Sequence, residues 1–594
     1  MCGIFGYLDQ LGSVMSQRAF LQMGQVIKHR GPDGQGVFHS ESGVGLGNQR
    51  LAILDIEQGG QPFISDCGDI VVVQNGEIFN HVEIAGELAN SAFACRTHCD
   101  TEVILRLYEQ QGIDFVSRLN GMFAIAIYDK RIDALFLIRD RIGEKPLYIK
   151  NTNGRILFAS EIKSILQAAP EAKLDPQALN QFLAFNYVPP PLTMFEGIKH
   201  VMPGQWLKIT TNSIETHRWW NLADQFVEES KSEQEWIAEF NSVLEDAVRV
   251  RLRADVPFGA FLSGGVDSSS IVGLMSQFLP DSVQSFCIGF DDPKYDESPF
   301  AQAASDRFGT QHIMQKVAPN MINLWPMATY HCDQPHGDVS FLPTFKVAEL
   351  AAKSVKMVLT GDGADELFAG YDKYKHFFSK DIQALSDIDF RQNYNENIAL
   401  FNQAQRQLLL TESLQAQLSE LTIESVTGPL YDQSKHMDRI NQALYVDMQL
   451  LLPGNNLVKP DRMGMAVSIE NRAPFLDYRM MELAFRMPGR LKLNKGETKY
   501  IYKKAVAPLI GEKLAYRKKQ MFTVPVGEWF KDELKELCEE LLFSQRAVSR
   551  NLFNTQFVRN MYTDHCQGVA NYTREIRALM AVEIWFRQFG VSTD

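Results

Sequence analysis

Cys2 is the first residue of this sequence that could carry out chemistry. Because cysteine is small, we expect Met1 to be removed, and the α-amino group of Cys2, with an unperturbed pKa of about 7.7 to 8.0, could then accept the proton of its own thiol. One residue would supply both the nucleophile and the general base. A single cysteine in a strand is more often only a small buried apolar side chain, so the surroundings of Cys2 decide between the two interpretations.

A second candidate site is the segment SGGVDSS at residues 263–269. It follows an apolar run at 256–262 that is typical of a buried strand, and it precedes a helical apolar pattern at 270–278. A helix N-terminus has unpaired backbone N–H groups and favours negative charge, and two glycines let an anion approach the backbone closely. We therefore expect a phosphate here. The Walker P-loop is excluded because no lysine stands at the helix start, and a plain turn is the alternative.

Acidic residues follow another apolar strand pattern, at 356–360. Asp362, Asp365 and Glu366 lie among glycines in the sequence TGDGADE, where they could supply the oxygen ligands that Mg²⁺ prefers. A Gly-Asp turn that caps the following helix is the alternative. A further apolar run ends at 287–289. Because the carboxyl ends of parallel strands meet at one edge of a sheet, we expect the three loops to form one ligand site.

The order of predicted elements divides the chain into two fold types. From residue 256 onward, strands and helices alternate, which indicates an α/β domain with a parallel sheet. In the N-terminal part, apolar runs at 121–129 and 135–141 are typical of paired strands in a core sheet. A polar and aromatic passage that contains Trp219 and Trp220 separates the two parts. We predict an N-terminal domain over 1–215, a packed linker over 216–231 and a C-terminal domain over 232–594.

Size and charge narrow the class of protein. A chain of 594 residues is too long for one hydrophobic core, so at least two domains are expected. The net charge of −13 disfavours a nucleic-acid groove as the main surface. We see neither an apolar run of about 18 residues nor a secretion signal in the sequence, and we expect a cytoplasmic protein without a membrane span. The eight cysteines are sparse and fit reduced thiols rather than a disulfide framework.

Four sequence blocks accompany Cys2 in the N-terminal part: HRGPDG at 29–34, RLAILD at 50–55, NGEIFN at 75–80 and CDTEVI at 99–104. Taken singly, they fit a turn, a strand opened by a surface cation, a hairpin turn that follows a strand at 70–73, and a helix start. Together with Cys2 and in this order, they resemble the glutaminase domain of class II glutamine amidotransferases. The resemblance implies an α+β N-terminal-nucleophile fold of stacked antiparallel sheets with flanking helices.

In that family, the thiolate of the terminal cysteine attacks the side-chain amide of glutamine and ammonia is released. The resemblance implies that Asn75 and the backbone of Gly76 stabilise the oxyanion, which is worth about 3 kcal/mol per donor in comparable sites. It also implies that Arg50 holds the glutamine α-carboxylate while Glu77 and Asp100 hold the α-ammonium. The glutamine-binding residues so implied are Arg50, Leu51, Ala52, Ile53, Leu54, Asn75, Gly76, Glu77 and Asp100.

The C-terminal part carries resemblances of its own. SGGVDS at 263–268 resembles the loop of the PP-loop ATP pyrophosphatases, which cleave ATP between its α and β phosphates to adenylate a substrate. Blocks at 451–463, 470–477 and 495–500 resemble the synthetase domain of glutamine-hydrolysing asparagine synthetases. The ATP-binding residues so implied are Leu262, Ser263, Gly264, Gly265, Asp267, Ser268, Ile288, Thr360 and Gly361.

The same resemblance implies roles for charged residues. Lys499 would neutralise charge on the departing pyrophosphate, which suits a lysine because phosphoryl-type chemistry consists mainly of positioning and charge stabilisation. A solvated lysine on a helix surface is the alternative. The further assignments are Asp267 and Asp365 for Mg²⁺, Asp362 for catalysis, and Asn456 and Lys459 for the acceptor or its immediate surroundings.

The resemblances predict a glutamine-dependent asparagine synthetase, which hydrolyses glutamine to ammonia and uses ATP to adenylate aspartate, giving asparagine, AMP and pyrophosphate. Two departures leave the acceptor open, because Asp362 replaces a frequent glutamate and Asn455-Asn456 replace paired acids found in many relatives. The same chemistry on another carboxylate, such as a sugar uronic acid, is therefore one alternative. A PP-loop enzyme that modifies tRNA, with a structural Cys2, is another. An internal ammonia passage is expected, and dimers are usual in that family.

Overall fold

The protein is described by a computed structural model that covers residues 2–379, 382, 384–420, 422–518 and 526–593. Met1, whose removal the sequence predicts, lies outside the described residues. In chain order, the strands of the N-terminal part are β1 (Cys2–Asp9), β2 (Gly34–Ser40), β3 (Val44–Arg50), β4 (Phe63–Ile64), β5 (Ile70–Ile78), β6 (Gly121–Asp129), β7 (Ala134–Arg139), β8 (Tyr148–Thr152), β9 (Arg155–Ala159), β10 (Ile198–His200), β11 (Gln205–Ile209) and β12 (Ile214–Arg218).

Two antiparallel sheets form the N-terminal part, in the strand orders β10-β8-β9-β1-β3-β2 and β12-β11-β7-β6-β5-β4. They pack face to face, since buried residues of β1 and β5, such as Ile4 and Val71, belong to one apolar cluster. Helices cover the outer faces of both sheets. This arrangement confirms the predicted stacked antiparallel sheets with flanking helices. The helices are α1 (Gln17–Gln25), α2 (His81–Leu88), α3 (Asp100–Gln111), α4 (Ile162–Ala168) and α5 (Pro176–Phe185).

The strand β5 shows how the sequence sets these layers. Successive side chains of a strand point to opposite faces. In β5, Val71 and Val73 pack toward the first sheet, while Ile70 and Val72 pack with α2 and α3. Because both faces are covered, the strand is apolar at consecutive positions. It continues to Ile78, beyond the predicted end near Val73, since it pairs with β6 over its whole length.

A parallel sheet forms the centre of the C-terminal part. Its strands are β13 (Phe258–Phe261), β14 (Gln284–Gly289), β15 (Gln311–Lys316), β16 (Met357–Leu359) and β17 (Glu470–Arg472), and a short hairpin follows, β18 (Leu493–Asn494) and β19 (Glu497–Thr498). The strand order is β15-β14-β13-β16-β17, with parallel pairing at each step. The predicted α/β domain is thereby confirmed.

Helices pack on both faces of this sheet and extend beyond it. They are α6 (Glu233–Arg251), α7 (Val266–Phe278), α8 (Ser298–Phe308), α9 (Trp325–Cys332), α10 (Phe341–Ala351), α11 (Ala364–Leu367), α12 (Asp372–Phe377), α13 (Asp387–Ile398), α14 (Gln403–Leu409), α15 (Glu412–Gln415), α16 (Glu424–Gln433), α17 (Arg439–Leu451), α18 (Val458–Met465), α19 (Tyr478–Arg486), α20 (Tyr500–Ile510), α21 (Glu512–Ala515), α22 (Val526–Trp529), α23 (Lys535–Phe543), α24 (Gln545–Val548), α25 (Thr555–Cys566) and α26 (Thr573–Phe589). Among the described helices, none has both the length and the apolar character needed to cross a bilayer.

Two local predictions differ from the structure. Arg50 was predicted to open a strand, but it ends β3, because the pairing of β3 with β1 stops there and the chain turns into a loop. Helix α7 begins at Val266 rather than at residue 270. Asp267 and Ser268 therefore lie in its first turn, where an acid is favoured by the helix dipole.

The passage between the two parts is packed against both. The strand β12 crosses the predicted boundary after residue 215, because it pairs with β11 as far as Arg218. Trp220 Nε1 donates to Glu482 Oε1 at 3.2 Å, and Leu222 and Ala223 are buried. We propose that the N-terminal domain includes Arg218 and that the linker begins after it.

Candidate functional site

Cys2 opens β1 near the centre of the first sheet, and its side chain is buried. The backbone N–H of Cys2 donates to Asn75 Oδ1 at 3.1 Å, so the second sheet reaches the strand of the candidate nucleophile. Burial raises the pKa of the Cys2 thiol above its usual value. The thiol is therefore protonated at neutral pH, and an attack by Cys2 requires a group that takes up this proton during the reaction.

Asn75 and Gly76 are adjacent on β5. The side-chain amide of Asn75 is held at both ends, because Oδ1 accepts from Cys2 and Nδ2 donates to Ser160 Oγ at 3.3 Å. A Cβ at Gly76 would lie 2.0 Å from the carbonyl oxygen of Met122, so only glycine fits the close approach of β5 and β6. The two residues predicted to stabilise the oxyanion are thus held next to Cys2.

Arg50 ends β3 directly opposite Cys2 in the antiparallel register. Its guanidinium donates to the carbonyl oxygens of residues 54–56 at 2.6–3.0 Å. The loop after β3 consequently wraps around the arginine, and residues 51–53 are buried. The structure brings the predicted block 50–54 together at the start of β1, beside Cys2, with Arg50 bonded to backbone carbonyls.

Asp100 and Glu77 are both buried, but different parts of the chain hold them. Asp100, at the start of α3, accepts a hydrogen bond at Oδ2 from the backbone of Ile78 at 2.9 Å. Glu77 contacts the C-terminal part, since Arg472 Nη2 lies 3.3 Å from Glu77 Oε2. Burial raises the pKa of Glu77 well above its usual value. Of the two carboxylates predicted to bind the α-ammonium, Glu77 therefore lies at the interface between the two parts, and Asp100 is held within the N-terminal part.

Arg30 is a residue of this site for which no role was predicted, although it belongs to the first of the four blocks. Its Nε donates to the carbonyl oxygen of Cys2 at 3.1 Å. Its Nη1 donates to Glu161 at 3.0 Å, and Nη1 and Nη2 donate to the two oxygens of Asp461 at 2.9 and 3.0 Å. Asp461 belongs to α18 of the C-terminal part. A fully buried ion pair thus joins the strand of Cys2 to the other domain.

A cavity of about 970 Å³ opens at the carboxyl edge of the parallel sheet. The loops that follow β13, β14 and β16 line it, as expected for parallel strands. Gly264 has a φ of +69°, and a Cβ there would lie 2.2 Å from the backbone of Phe300, so this glycine faces α8. The other predicted ATP-binding residues line the cavity: Leu262, Ser263, Gly265, Asp267, Ser268, Ile288, Thr360 and Gly361.

The loop after β13 has fewer unpaired amides than predicted. The N–H of Ser263 donates to Ser268 Oγ at 3.2 Å, and the N–H of Gly265 donates to Ser263 Oγ at 3.3 Å. The prediction of unpaired backbone groups is wrong for these two amides, because serine hydroxyls fold back onto nearby backbone. An anion that enters the loop would exchange with these hydroxyls.

Lys499 joins the two predicted metal ligands. Its Nζ lies 2.7 Å from both oxygens of Asp267 and 2.7 Å from Asp365 Oδ1. Burial opposes the charge of Lys499, but the two carboxylates outweigh burial and raise its pKa, so the ammonium is charged. A Cβ on Gly370 would lie 1.9 Å from Asp365 Oδ1 and 2.2 Å from Lys499 Cε, so this glycine makes room for the cluster.

Asp267 and Asp365 fit a magnesium site of the kind that uses one or two protein carboxylates together with substrate phosphates. Their oxygens converge on one positive charge, the Lys499 ammonium. Within the described part of the chain, no group of three or more His, Cys, Asp or Glu side chains forms a metal cage. The pair therefore suits a cation that arrives with phosphates rather than a structural metal ion.

Asp362 and Glu366 line the same cavity and have neutral hydrogen-bond donors. Asp362 Oδ2 accepts from Thr360 Oγ1 at 2.7 Å, and burial raises the pKa of Asp362. Glu366 Oε1 accepts from the hydroxyl of Tyr371 at 2.6 Å and from Nδ2 of Asn456. Burial raises the pKa of Glu366 as well. Asn456 thus donates a hydrogen bond to Glu366. An aspartate or glutamate at position 456 could donate this bond only in its protonated form.

Lys459 extends from α18 into the cavity. Its Nζ donates to Asp338 Oδ2 at 2.8 Å and to Ser340 Oγ at 3.0 Å. Burial opposes the charge of Lys459, but Asp338 outweighs burial and raises the pKa of the lysine. The same short helix carries Asp461, the partner of Arg30, so one helix contacts both candidate sites.

Several arginines that line the cavity were not predicted. Arg517 Nε donates to the carbonyl oxygen of Gly264 at 2.8 Å, and its Nη2 donates to Glu297 at 2.7 Å, so Arg517 holds the loop after β13. Arg574 and Arg577 come from α26, in a tail for which the sequence analysis made no prediction. The available clue was two basic residues at a helix N-terminus, where the dipole disfavours positive charge.

Comparison with known proteins identifies both parts of the chain. Residues 1–220 match the glutamine amidotransferase domain family, and residues 239–587 match the asparagine synthase family. Three curated relatives align over most of their lengths. Asparagine synthetase (glutamine-hydrolyzing) 1 of Bacillus subtilis is 33% identical over 98% of this chain and 96% of the relative. Asparagine synthetase (glutamine-hydrolyzing) 3 of the same organism is 31% identical over 89% of each chain.

The third relative has a different name. Amidase chry2 of Gibberella zeae is 28% identical over 100% of this chain and 98% of the relative. The two domain matches together span most of the sequence, in the order that the sequence analysis predicts. The chain therefore belongs to the asparagine synthase family and carries a glutamine amidotransferase domain in its N-terminal part.

Proposed function

We propose that this chain is a glutamine-dependent asparagine synthetase, which hydrolyses glutamine, adenylates aspartate with ATP and releases asparagine, AMP and pyrophosphate. The observation that carries the proposal is the position of Lys499 between Asp267 and Asp365, in a cavity lined by three strand-end loops. The same chain buries Cys2 against Asn75. Family membership and the relatives named as glutamine-hydrolysing synthetases support this chemistry. A cytoplasmic location and a homodimer remain predictions.

In the first half-reaction, the Cys2 sulfur attacks the side-chain carbonyl carbon of glutamine. With Met1 removed, the α-amino group of Cys2 takes the thiol proton and passes it to the departing ammonia. Asn75 and the N–H of Gly76 donate to the oxyanion of the intermediate. Water then hydrolyses the glutamyl thioester to glutamate. Arg50, Glu77 and Asp100 would orient the glutamine through its α-carboxylate and α-ammonium groups.

In the second half-reaction, the acceptor carboxylate attacks the α-phosphorus of ATP, and pyrophosphate leaves. Lys499 stays charged and would stabilise the negative charge on this leaving group. Asp267 and Asp365 would hold Mg²⁺, which when bound neutralises phosphate oxygens. Ammonia then attacks the acyl carbon to give the amide and AMP. Asp362, whose pKa burial raises, lines the cavity as a base for the surplus proton.

Helix α18 would link the two half-reactions. It carries Lys459 into the ATP cavity and Asp461 to Arg30, whose Nε donates to the carbonyl oxygen of Cys2 at 3.1 Å. Ammonia that reached bulk water would be protonated and could no longer attack the acyl group. We therefore expect ammonia to travel through the buried interface between the two domains, beside α18.

A pyrophosphate-release assay tests the proposal, run with Mg-ATP and glutamine in the presence and absence of aspartate. Aspartate-dependent release is expected, with asparagine identified by mass spectrometry. Glutaminase activity without aspartate-dependent pyrophosphate would overturn the aspartate assignment. The next acceptors to test would then be other carboxylates, a choice favoured by Asp362, by Asn456 and by the relative named as an amidase. Absence of both activities, with retention on tRNA at moderate salt, would favour the tRNA-modifying alternative.

A further inference from the structure

Arg577 is a buried cation in the ATP cavity that has no hydrogen-bond or ion-pair partner among the described residues. It lies on α26, lines the cavity and is 9% exposed. Within the described part of the chain, its guanidinium makes no hydrogen bond and no ion pair, and its Nε is fully buried. A guanidinium carries five N–H donors, so burying it without acceptors is unfavourable. Such a group is expected where a ligand supplies the acceptors.

Asp338 is the carboxylate that faces Arg577, but its oxygens already have donors. Asp338 Oδ2 accepts from Lys459 Nζ at 2.8 Å. Asp338 Oδ1 accepts from the backbone N–H of Ser340 at 3.0 Å. Both oxygens of Asp338 are therefore occupied by donors other than Arg577, and the guanidinium of Arg577 has no hydrogen-bond acceptor within the described residues.

The local sequence of α26 favours a ligand-binding role over a structural one. Arg574 and Arg577 lie within the first five residues of α26, three positions apart. Positive charge is unfavourable at a helix N-terminus, and like charges at this spacing repel each other. Arg574 is exposed, and Glu575 lies between the two arginines in the same turn, but neither arginine forms a direct ion pair within the described residues. Charges that are unfavourable for the helix itself are expected where function requires them.

The cavity holds two separate groups of cations. Lys499 contacts Asp267 and Asp365, the carboxylates expected to meet the phosphates of ATP. Arg577 instead belongs with Lys459, because both act on the same carboxylate, Asp338. Lys459 and Arg577 thus act on a different carboxylate from the two that Lys499 contacts.

We propose that Arg577, with Arg574 beside it, binds the second carboxylate of the acceptor, so that the preferred acceptor is a dicarboxylate. This assignment rests on the proposed function. Arg577 binds one carboxylate of the acceptor, and the other carboxylate is adenylated. A guanidinium can donate to both oxygens of a carboxylate in one plane. For aspartate, the group bound by Arg577 is the α-carboxylate.

The test uses the full-length enzyme with ammonia as nitrogen donor and compares aspartate with β-alanine, which is aspartate without its α-carboxylate. For the wild-type enzyme, kcat/KM is expected to be roughly 10- to 100-fold lower with β-alanine. In Arg577→Gln, the KM for aspartate should rise by roughly the same factor while the KM for ATP stays unchanged. The preference for aspartate over β-alanine should then disappear.

Two further variants and one measurement separate binding from folding. Arg587→Gln removes the same charge from the same helix, at a side chain paired with Glu583 and Glu540, and should leave the KM for aspartate unchanged. Arg577→Lys keeps the charge without the planar fork and should restore part of the affinity. The melting temperature of ligand-free Arg577→Gln should equal or exceed that of the wild type, because an unpaired buried charge is removed.

Three outcomes would overturn the assignment. They are an unchanged KM for aspartate in Arg577→Gln, a raised KM for ATP with the preference against β-alanine intact, and a lowered melting temperature as the sole effect. Absence of aspartate-dependent activity in the wild type would instead overturn the proposed function. In that case, a dicarboxylate found as the true acceptor would still support the role of Arg577, and a monocarboxylate acceptor would overturn it.

Discussion

The two candidate sites hold their charged groups in opposite ways. In the glutamine site, backbone groups hold two of the predicted binding residues: Arg50 donates to three carbonyl oxygens, and Asp100 accepts from the N–H of Ile78. In the ATP cavity, the charged side chains fix each other, as Lys499 does with Asp267. Backbone contacts are set when the sheets form, whereas ion pairs between side chains can be exchanged for ligand charges.

This difference matches the ligands expected in each site. Glutamine has no net charge, so a site held by the backbone can receive it without rearranging its own charges. Mg-ATP brings several charges of both signs. A cavity whose cations and carboxylates neutralise each other can exchange internal partners for external ones without leaving a buried charge unpaired, which would be strongly destabilising. Arg577 departs from this pattern because it has no internal partner within the described residues.

Replacing the nucleophile tests whether the two sites act independently, and it has the largest expected effect. In Cys2→Ala, glutamine hydrolysis should fall roughly 10⁴-fold or more, because the attacking sulfur is gone. Ammonia-dependent synthesis should persist, since no contact of the ATP cavity is altered. Glutamate release and pyrophosphate release measure the two activities. Cys67→Ala, at an exposed cysteine, serves as the control; loss of both activities in Cys2→Ala would contradict independence.

Removing the central cation of the ATP cavity tests the role of its ion pairs. In Lys499→Met, pyrophosphate release should fall roughly 100- to 1000-fold, because a charge that stabilises the leaving group is lost. Glutaminase activity should stay unchanged. The matched control is Lys492→Met, which removes another buried lysine, one whose Nζ donates to Asn441 Oδ1 at 2.8 Å. Equal losses in both variants would show that the effect is structural.

Breaking the ion pair between Arg30 and Asp461 tests whether the activities of the two sites depend on the contact between the two domains. Asp461→Asn removes one of the two carboxylates that pair with the buried Arg30 and leaves Glu161, and the free energy of unfolding should fall by about 3 kcal/mol. Glutamine-dependent synthesis should also fall relative to ammonia-dependent synthesis. Asp291→Asn, whose partner Lys316 is on the surface, should cost at most about 1 kcal/mol. An unchanged melting temperature in Asp461→Asn would contradict the stabilising role of this ion pair.

The smallest expected effect is on the pH dependence of stability. It distinguishes Lys492, whose pKa is lowered, from Lys499, whose pKa is raised. Burial lowers the pKa of Lys492 to about 7, whereas that of an unfolded lysine is about 10.4. Between these values the unfolded chain binds more protons, so this lysine makes stability rise with pH, by roughly 1 kcal/mol per pH unit. Lys492→Met should melt higher than the wild type near pH 7, with a difference that shrinks toward pH 9. A pH-independent difference would contradict the lowered pKa.

Much of the architecture was predictable because it depends on short contiguous patterns. The apolar runs of β5, β6 and β7 and the alternation of strands and helices after residue 256 correctly indicated both kinds of sheet, antiparallel and parallel. The end of β5 and the start of α7 were misplaced, since pairing with β6 and the first-turn residues of a helix extend elements beyond their apolar cores. The unpaired amides expected at Ser263 and Gly265 are bonded to serine hydroxyls, a contact that depends on how the loop folds.

The sequence alone determined the two chemistries, because each motif is a local unit. The order of a strand, a small-residue loop and a helix N-terminus predicts a phosphate site, and short contiguous blocks carry the family resemblances that imply both chemistries. Only the tertiary structure decided what joins the sites and what completes them. Arg30 and Asp461 are 431 positions apart, and Arg577 reaches the ATP cavity from the last helix. Contacts over such separations depend on how whole elements pack, and no spacing in the sequence encodes them.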